Sequence, residues 1–511
     1  MATWNFSTKD GGGIRYPAHQ GGSIPGVGTQ LTYRIYKRNR SMMLKKLSLA
    51  IALVLAGSSA FAAGTSFEDF TPMTGDVGAG TLPEAAPYRL SSPHFSQMTI
   101  VARDPAQATR FDSGNYDMHT VNENGPEAGR FLFTVFETGQ AGIQRTDLRT
   151  MQTETIWHSP SAAPALDSHK SFDASRWTPW GTFLTAEESW SDPAAVPTSH
   201  YGRLFEVTNP LAAPADIVIK HRDILPRVSH EGLAFDKKNN LYFIDERNDS
   251  HIFKFTSANP KADNGDDFFA AGQTFVLRVG NGTVEEATGA ATWIPLTDMN
   301  GIALPGVVVV TDPNGLTAID GRATPNLPAF LGTNFDRPED LEIKTLKNGK
   351  QMLFVATTTN NKVFSIDLRN DTVKLFASRD TKDMATGAPV GAAFTSPDNL
   401  AIDADGNIYI VEDQPGGIED VWFAKDENND GVAEAVGKWA SLSTVGAEST
   451  GLYFDPFKSN TAYINVQHPS SKVDRTIMIT TPCQKTKGDN GHHYGHDKGH
   501  DKGHDKGHDR D

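Results

Sequence analysis

Residues 396–413 read Ser-Pro-Asp-Asn-Leu-Ala-Ile-Asp-Ala-Asp-Gly-Asn-Ile-Tyr-Ile-Val-Glu-Asp. Two short runs of β-formers flank an Asp-Gly-Asn turn, the pattern of a tight antiparallel hairpin. Its second half recurs along the chain as GRFLFTVFE, GTFLTAEE, NNLYFIDE, KQMLFVAT and NTAYINVQ. Strand ends at 137, 187, 246, 357, 412 and 467 give steps of 50, 59, 111, 55 and 55. A further strand follows several of these after a short gap, as in GRLFEVT and NKVFSIDL, and others are preceded by one, as in EGLAFD and TGLYFD. Short strands in a repeat of this length, with little helical periodicity, predict an all-β chain folded as a β-propeller. A β-sandwich would not produce such a repeat. Six blades are expected, the double-length step holding a long insertion; a seventh blade is the alternative. Within 280–336, TWIPL reads as a strand, whereas 306–330 breaks phase and reads as half helical.

The turns entering the inner strands share one phase of the repeat. They read Ser229-His230-Glu231-Gly232, Arg337-Pro338-Glu339-Asp340, Ser396-Pro397-Asp398-Asn399 and Glu448-Ser449-Thr450-Gly451. In a propeller that phase rings one mouth of the central channel. Glu231, Glu339 and Asp398 are therefore expected to converge although they are distant in sequence. Bare, such a cluster repels itself, and a bound cation is the simplest remedy. Oxygen donors favour calcium, magnesium, manganese or ferric iron over zinc or copper. A lone acid at a turn would ordinarily cap it or pair with arginine; three in phase favour the metal. The Arg337 guanidinium suits a pair of phosphate oxygens, with a salt bridge to a neighbouring carboxylate as its other role. Arg227 is a weaker candidate of the same kind.

The 511-residue chain has a formal net charge of −15 at pH 7. That argues against nucleic acid or an anionic membrane as partner, since both need a basic footprint. Residues 43–62 pair two lysines with a short apolar run and a small-x-small site at Ala60-Phe61-Ala62, as a secretory signal peptide does. The run is too short for a stable membrane span, so the mature protein is expected in the periplasm or outside the cell. Residues 1–42 read as a non-native or unstructured extension, with translation starting at Met42 or Met43. The propeller is expected over 63–480 and a disordered tail over 481–511. Cys483 is the single cysteine, so no internal disulfide forms. The tail repeats Gly-His-Asp-Lys and holds six of the 16 histidines; it is either a weak site for zinc, nickel or copper or simply solvated.

Five phrases, in order, resemble the PhoX-type alkaline phosphatases: Thr178–Glu188, Ser229–Gly232, Arg337–Asp340, Ser396–Leu400 and Asn465–Pro469. The resemblance spans roughly 131–469 and implies a propeller that holds iron and calcium and hydrolyses phosphate monoesters. It implies metal ligation by Glu231 and Glu339, a catalytic phosphate contact by Arg337, and further site roles for Glu187, Asp398 and Asn399. The family carries a cysteine before its Thr-Pro-Trp-Gly phrase; here that position falls at about Asp173, and a second family cysteine falls at Ala186. Replacing thiolate by carboxylate makes Asp173 a candidate ligand and shifts the preference from Fe3+ towards Ca2+.

Asp426, Asn428 and Asp430 form the first half of a calcium loop, but Gly437 stands where an EF-hand needs its glutamate. A rim calcium site or an Asx-rich turn both fit. No nucleophile elbow, Walker loop or dinucleotide fingerprint occurs. The leading expectation is a secreted metal-dependent phosphatase acting on small phosphate esters. A non-catalytic calcium-binding propeller and a calcium-dependent lactonase- or phytase-like hydrolase remain alternatives, and the oligomeric state is open.

Overall fold

The computed structural model describes residues 66–482 except 105–108, 161–167, 190–200, 313–314 and 414–418. The expected extension, signal peptide, Cys483 and all but two residues of the tail lie outside the described residues. The alternation of apolar and polar residues generates six four-stranded antiparallel meanders among the described residues. Their first strands begin at Tyr116, Phe172, Leu233, Pro338, Pro397 and Glu448. These strands neighbour one another in sequence order, and the last lies against the first, so the ring closes. The chain is a β-propeller.

Closure uses both ends of the described chain. The strand Ser96–Ala102 pairs with Arg475–Thr480 and becomes the outer strand of the last meander. Tyr88–Leu90 likewise adds a fifth strand to the meander before it, pairing with Ala435–Leu442. A hydrophobic cluster fills the gap between each pair of adjacent sheets. Phe133, Val135 and Phe183 join the first two, for example, and Leu341, Leu353 and Tyr242 the third and fourth. Burial of these faces supplies the main driving force, at about 25 cal/mol per Å² of apolar surface.

The insertion lies between the third and fourth meanders. Gly289–Pro295 is a strand, as TWIPL suggested, and it bridges those two sheets by pairing with Gly272–Val279 and Thr372–Ser378. The expected helical character of 306–330 is corrected. Val309–Thr311 and Thr317–Ile319 form a hairpin, and only Thr324–Asn326 makes a 3-10 turn. Four consecutive valines, 307–310, resist helix through their stiff χ1, and the Asp312 carbonyl accepts the Gly315 N–H at 2.9 Å.

Candidate metal centre

The inner strands do not run straight into their sheets. Four are entered by a non-glycine residue in the left-handed region: Asn115 (φ 45°), Ser171 (φ 47°), Arg337 (φ 59°) and Ser396 (φ 44°). Two residues later stand Asp117, Asp173, Glu339 and Asp398, each inside a shift of strand register. A bulge of this kind re-aims a side chain, here from the sheet face into the channel. The carbonyls of Asn115, Ser171, Ser229, Arg337 and Ser396 accept the backbone N–H of Glu137, Glu188, Glu246, Thr358 and Asp413, at 2.8–3.0 Å. The same bond therefore fixes the end of the second strand beside the start of the first.

Repetition of this device builds two tiers. The first strands contribute Asp117, Asp173, Glu231, Glu339, Asp398 and Thr450; the second strands contribute Glu137, Glu188, Glu246, Thr358, Asp413 and Gln467. All of these except Thr358 line one pit of about 120 Å³, together with Arg337 and Glu448. Ten carboxylates thus face one arginine. Oxygens of Glu231, Glu339 and Asp398 lie within 4.8 Å of one another, and all three residues are buried. The three acids expected to meet on the axis do meet there.

The electrostatics follow from burial. Loss of water, then the charges of Asp398 and Glu339, push the Glu231 carboxyl well above its usual range. Burial and Glu339 do the same to Asp398, and burial with Asp117 to Asp173. Glu339 is pushed up to about 8, by burial first and Glu246 second. Asp173 Oδ1 is buried with no hydrogen-bond partner among the described residues. Burial alone would lower the Arg337 pKa, but Glu339 and Glu246 outweigh it. Its Nε lies 2.8 Å from Glu246 and 2.9 Å from Glu339, and its Nη2 is 3.9 Å from Asp413. One side of the guanidinium is thus tied to the protein while the group stays over a third exposed.

The remaining sequence candidates stand differently. Asn399 is beside the trio: its Oδ1 accepts from Gly451 N–H and from Thr450, which leaves its Nδ2 to donate to Glu231 at 3.3 Å. Its oxygen is already committed, so Asn399 orients a carboxylate instead of offering a free donor atom. Glu187 lies off the pit, its carboxylate held by Arg203 at 2.7 and 3.0 Å. Alternation along the strand turns Glu187 into the sheet, and the adjacent Glu188 enters the pit instead. In the 426–431 loop, Asp426 accepts backbone N–H groups of Asp430 and Gly431, Asn428 that of Asp430, and Asp430 that of Val432. These hydrogen bonds form an Asx-rich turn. Arg227, the weaker phosphate candidate, is buried in an ion pair with Asp312.

Missed by sequence reading were Asp117, Glu137, Glu188, Glu246, Asp413 and Gln467 as members of the pit, whereas Glu448 lies in a turn expected at the channel mouth. The signal was present. The second-tier acids end, or directly follow, the recurring strand phrases, and Asp117 shares the phase of Asp173. A larger cleft, about 800 Å³, lies elsewhere, between Lys344–Lys350 and Asp403–Gly406, and gathers no acid trio among the described residues. A second trio, Asp249, Glu285 and Asp336, is mainly exposed.

The family model described as alkaline phosphatase PhoX matches residues 174–470, more than half of the chain. The chain belongs to the PhoX alkaline phosphatase family. It is a phosphatase of the PhoX type, and the matched span contains Glu188, Glu231, Arg337, Glu339 and Asp398. Pseudomonas fluorescens PhoX in complex with vanadate, a transition-state analogue, superposes with a TM-score of 0.55 at 17% identity, covering 81% of this chain and 98% of that one. This likeness concerns the fold. A Bacteroides thetaiotaomicron protein of unknown function (TM-score 0.38, 12% identity, 75% and 76% coverage) and the PQQ-bound aldose sugar dehydrogenase of Streptomyces coelicolor (0.38, 11%, 76% and 98%) are more distant. No curated protein matches by sequence.

Proposed function

We propose that this PhoX-family chain is an exported phosphomonoesterase whose axial pit holds hard metal ions, with Glu231, Glu339, Asp398 and Asp173 as ligands. The observation that carries the reading is the buried trio within 4.8 Å of mutual approach, with Arg337 in ion-pair contact with one of its members. The fit to metal rests on the donor set. The pit lining offers oxygen ligands without thiolate or imidazole, and a buried carboxylate oxygen of Asp173 goes unsatisfied. Such a set suits Ca2+ best, with Fe3+ the second candidate. Bound cations would supply the positive field for phosphate oxygens and acidify a water. The protein's own part is clearer still. Glu246 and Glu339 fix Arg337 at the pit, so its fork meets phosphoryl oxygens where charge develops. The burial of the acids excludes competing water from the floor. A pit of about 120 Å³ accepts a phosphoryl group and leaves the alcohol outside, which favours small and varied monoesters.

Asp173, standing where the family resemblance places a cysteine, supports a second reading: a calcium-binding propeller without turnover. Residues 43–62 support export. The test is metal content and p-nitrophenyl phosphate turnover of protein purified from the periplasm, before and after chelation. Hydrolysis lost on chelation and restored by calcium or iron is expected. Bound calcium without hydrolysis would establish the binding protein, and a rate unchanged in Glu339→Gln and Arg337→Ala would refute the site.

A further inference from the structure

The inner strand Pro338–Thr345 joins two different openings. It starts beside the pit, which Glu339 lines, and ends at the cleft of about 800 Å³, which Lys344 lines. Five residues of strand lie between them, roughly 17 Å of rise, so pit and cleft are separate sites. A lysine is almost never fully buried unless it is paired. Lys344 is only 8% exposed, yet its ammonium has no hydrogen bond or ion pair among the described residues. A Cβ on Gly406, which also lines the cleft, would stand 3.3 Å from Lys344 Cε. The end of the side chain therefore lies between the two turns that wall the cleft.

The nearest acids are already spent. Asp403 Oδ1 accepts the backbone N–H groups of Asp405 and Asn407, and its Oδ2 accepts from Asn407 Nδ2 and the Tyr409 hydroxyl. The two oxygens of Asp426 accept from Asp430 N–H and Gly431 N–H. Burial pulls the Lys344 pKa below its usual value, although Asp426, Asp403 and Glu434 oppose the shift. What the cleft still offers is mainly donors. Asn348 and Asn428 each use Oδ1 to accept a backbone N–H, from Lys350 at 2.9 Å and Asp430 at 2.8 Å, which leaves each Nδ2 to donate. Lys347 is exposed in the same lining, whereas Lys350 is held by Asp367 at 3.1 Å. The carboxylate of Asp405, also exposed there, accepts no hydrogen bond among the described residues. Ile343, Leu346 and Ile402 add apolar surface.

We propose that this cleft binds a small hydroxylated organic anion, a sugar acid or a sugar phosphate, with Lys344 as counter-ion to its charged head. The head relieves an ammonium that burial leaves uncompensated, and the asparagine amides donate to its oxygens. A ligand hydroxyl donates to Asp405, and the C–H faces of the sugar pack on the isoleucines and Leu346. A cleft of about 800 Å³ is far larger than a bare oxyanion needs and falls within the range of small-molecule sites. The site does not rest on the phosphatase reading, since nothing in it involves the pit.

The test is calorimetric titration of the metal-loaded full chain with three probes. Glucuronate carries a carboxylate head, glucose 6-sulfate a phosphate-like head that phosphomonoester hydrolysis leaves intact, and glucose no charge. At least one anion should bind about tenfold or more tightly than glucose, and the preference between the two identifies the head. Lys344→Met keeps the length and removes the charge. It should weaken that binding about tenfold or more and leave the denaturant midpoint unchanged or raised, because an unpaired buried charge is gone. Lys347→Ala, at an exposed position, should weaken binding several-fold and serves as the test if Lys344→Met does not fold. Arg337→Ala should keep the affinity. Anion binding that survives both lysine variants but is lost in Arg337→Ala belongs to the pit and overturns the proposal. Equal affinity for glucose overturns it too, as does the absence of binding by either anion.

Discussion

At the scale of single residues, the pit separates neighbours that sequence cannot. Glu187 and Glu188 are adjacent and identical, yet one completes a buried ion pair with Arg203 and the other faces nine further carboxylates. Arg203→Met leaves Glu187 buried and unpaired, so stability should fall by about 3–5 kcal/mol, measured by urea denaturation, with metal content per folded chain unchanged. Glu188→Gln should do the reverse. Metal content falls, and the metal-free protein gains stability because one buried negative charge is gone. Gly232, beside Glu231, is a steric case. A Cβ there would collide with Asp340 Oδ1 and come within 2.5 Å of Leu341 N. Gly232→Ala should therefore cost about 1–3 kcal/mol and splay the third and fourth inner strands, detectable as weaker calcium binding by calorimetry. Reading the repeat phase sufficed to find Glu231, Glu339 and Asp398. Choosing Glu188 over Glu187 needed the pleat of the strand, and seeing that the oxygen of Asn399 is spent needed Gly451 N–H in place.

At the scale of elements, the bulged entry to four of the six inner strands re-aims their acids into the pit. A left-handed L-residue costs about 1–2 kcal/mol, while glycine in its place costs about 0.5–1 kcal/mol of chain entropy. Ser396 has no role in the pit lining, so Ser396→Gly should be neutral to mildly stabilising, and Ser396→Val clearly destabilising, by denaturant midpoint. In either case Asp398 moves with its backbone. A valine should weaken metal binding as well as the fold. The strand phrases were legible because alternation and Asp/Asn-Gly turns are local, whereas the bulges are set by pairing across the sheet. For the same reason the insertion misled. Its half-helical look came from small residues after 316, and the valine run that decides its hairpin lies just before them.

At the scale of the molecule, a chain with net charge −15 gathers ten carboxylates on its axis and must hold them as acids or as ligands. The raised groups fix the sign of the pH response. Glu339 at about 8 and Glu137 at about 7 bind protons more tightly folded than unfolded, where the value is 4.5. Their contribution is fully present below the unfolded value and is lost as pH rises through the folded one. The melting temperature of the metal-free protein should fall steadily from about pH 5 to about pH 9. Saturating calcium should flatten that slope, since ligation replaces protonation. Differential scanning calorimetry with and without chelator checks both limbs. The ring closes only when Ser96–Ala102 clasps Arg475–Thr480, the earliest described full-length strand meeting the latest. On the proposed metal-binding reading, a nascent polypeptide still lacking the sixth sheet lacks Glu448, Thr450 and Gln467 in the pit wall and would capture ions only once that sheet has formed.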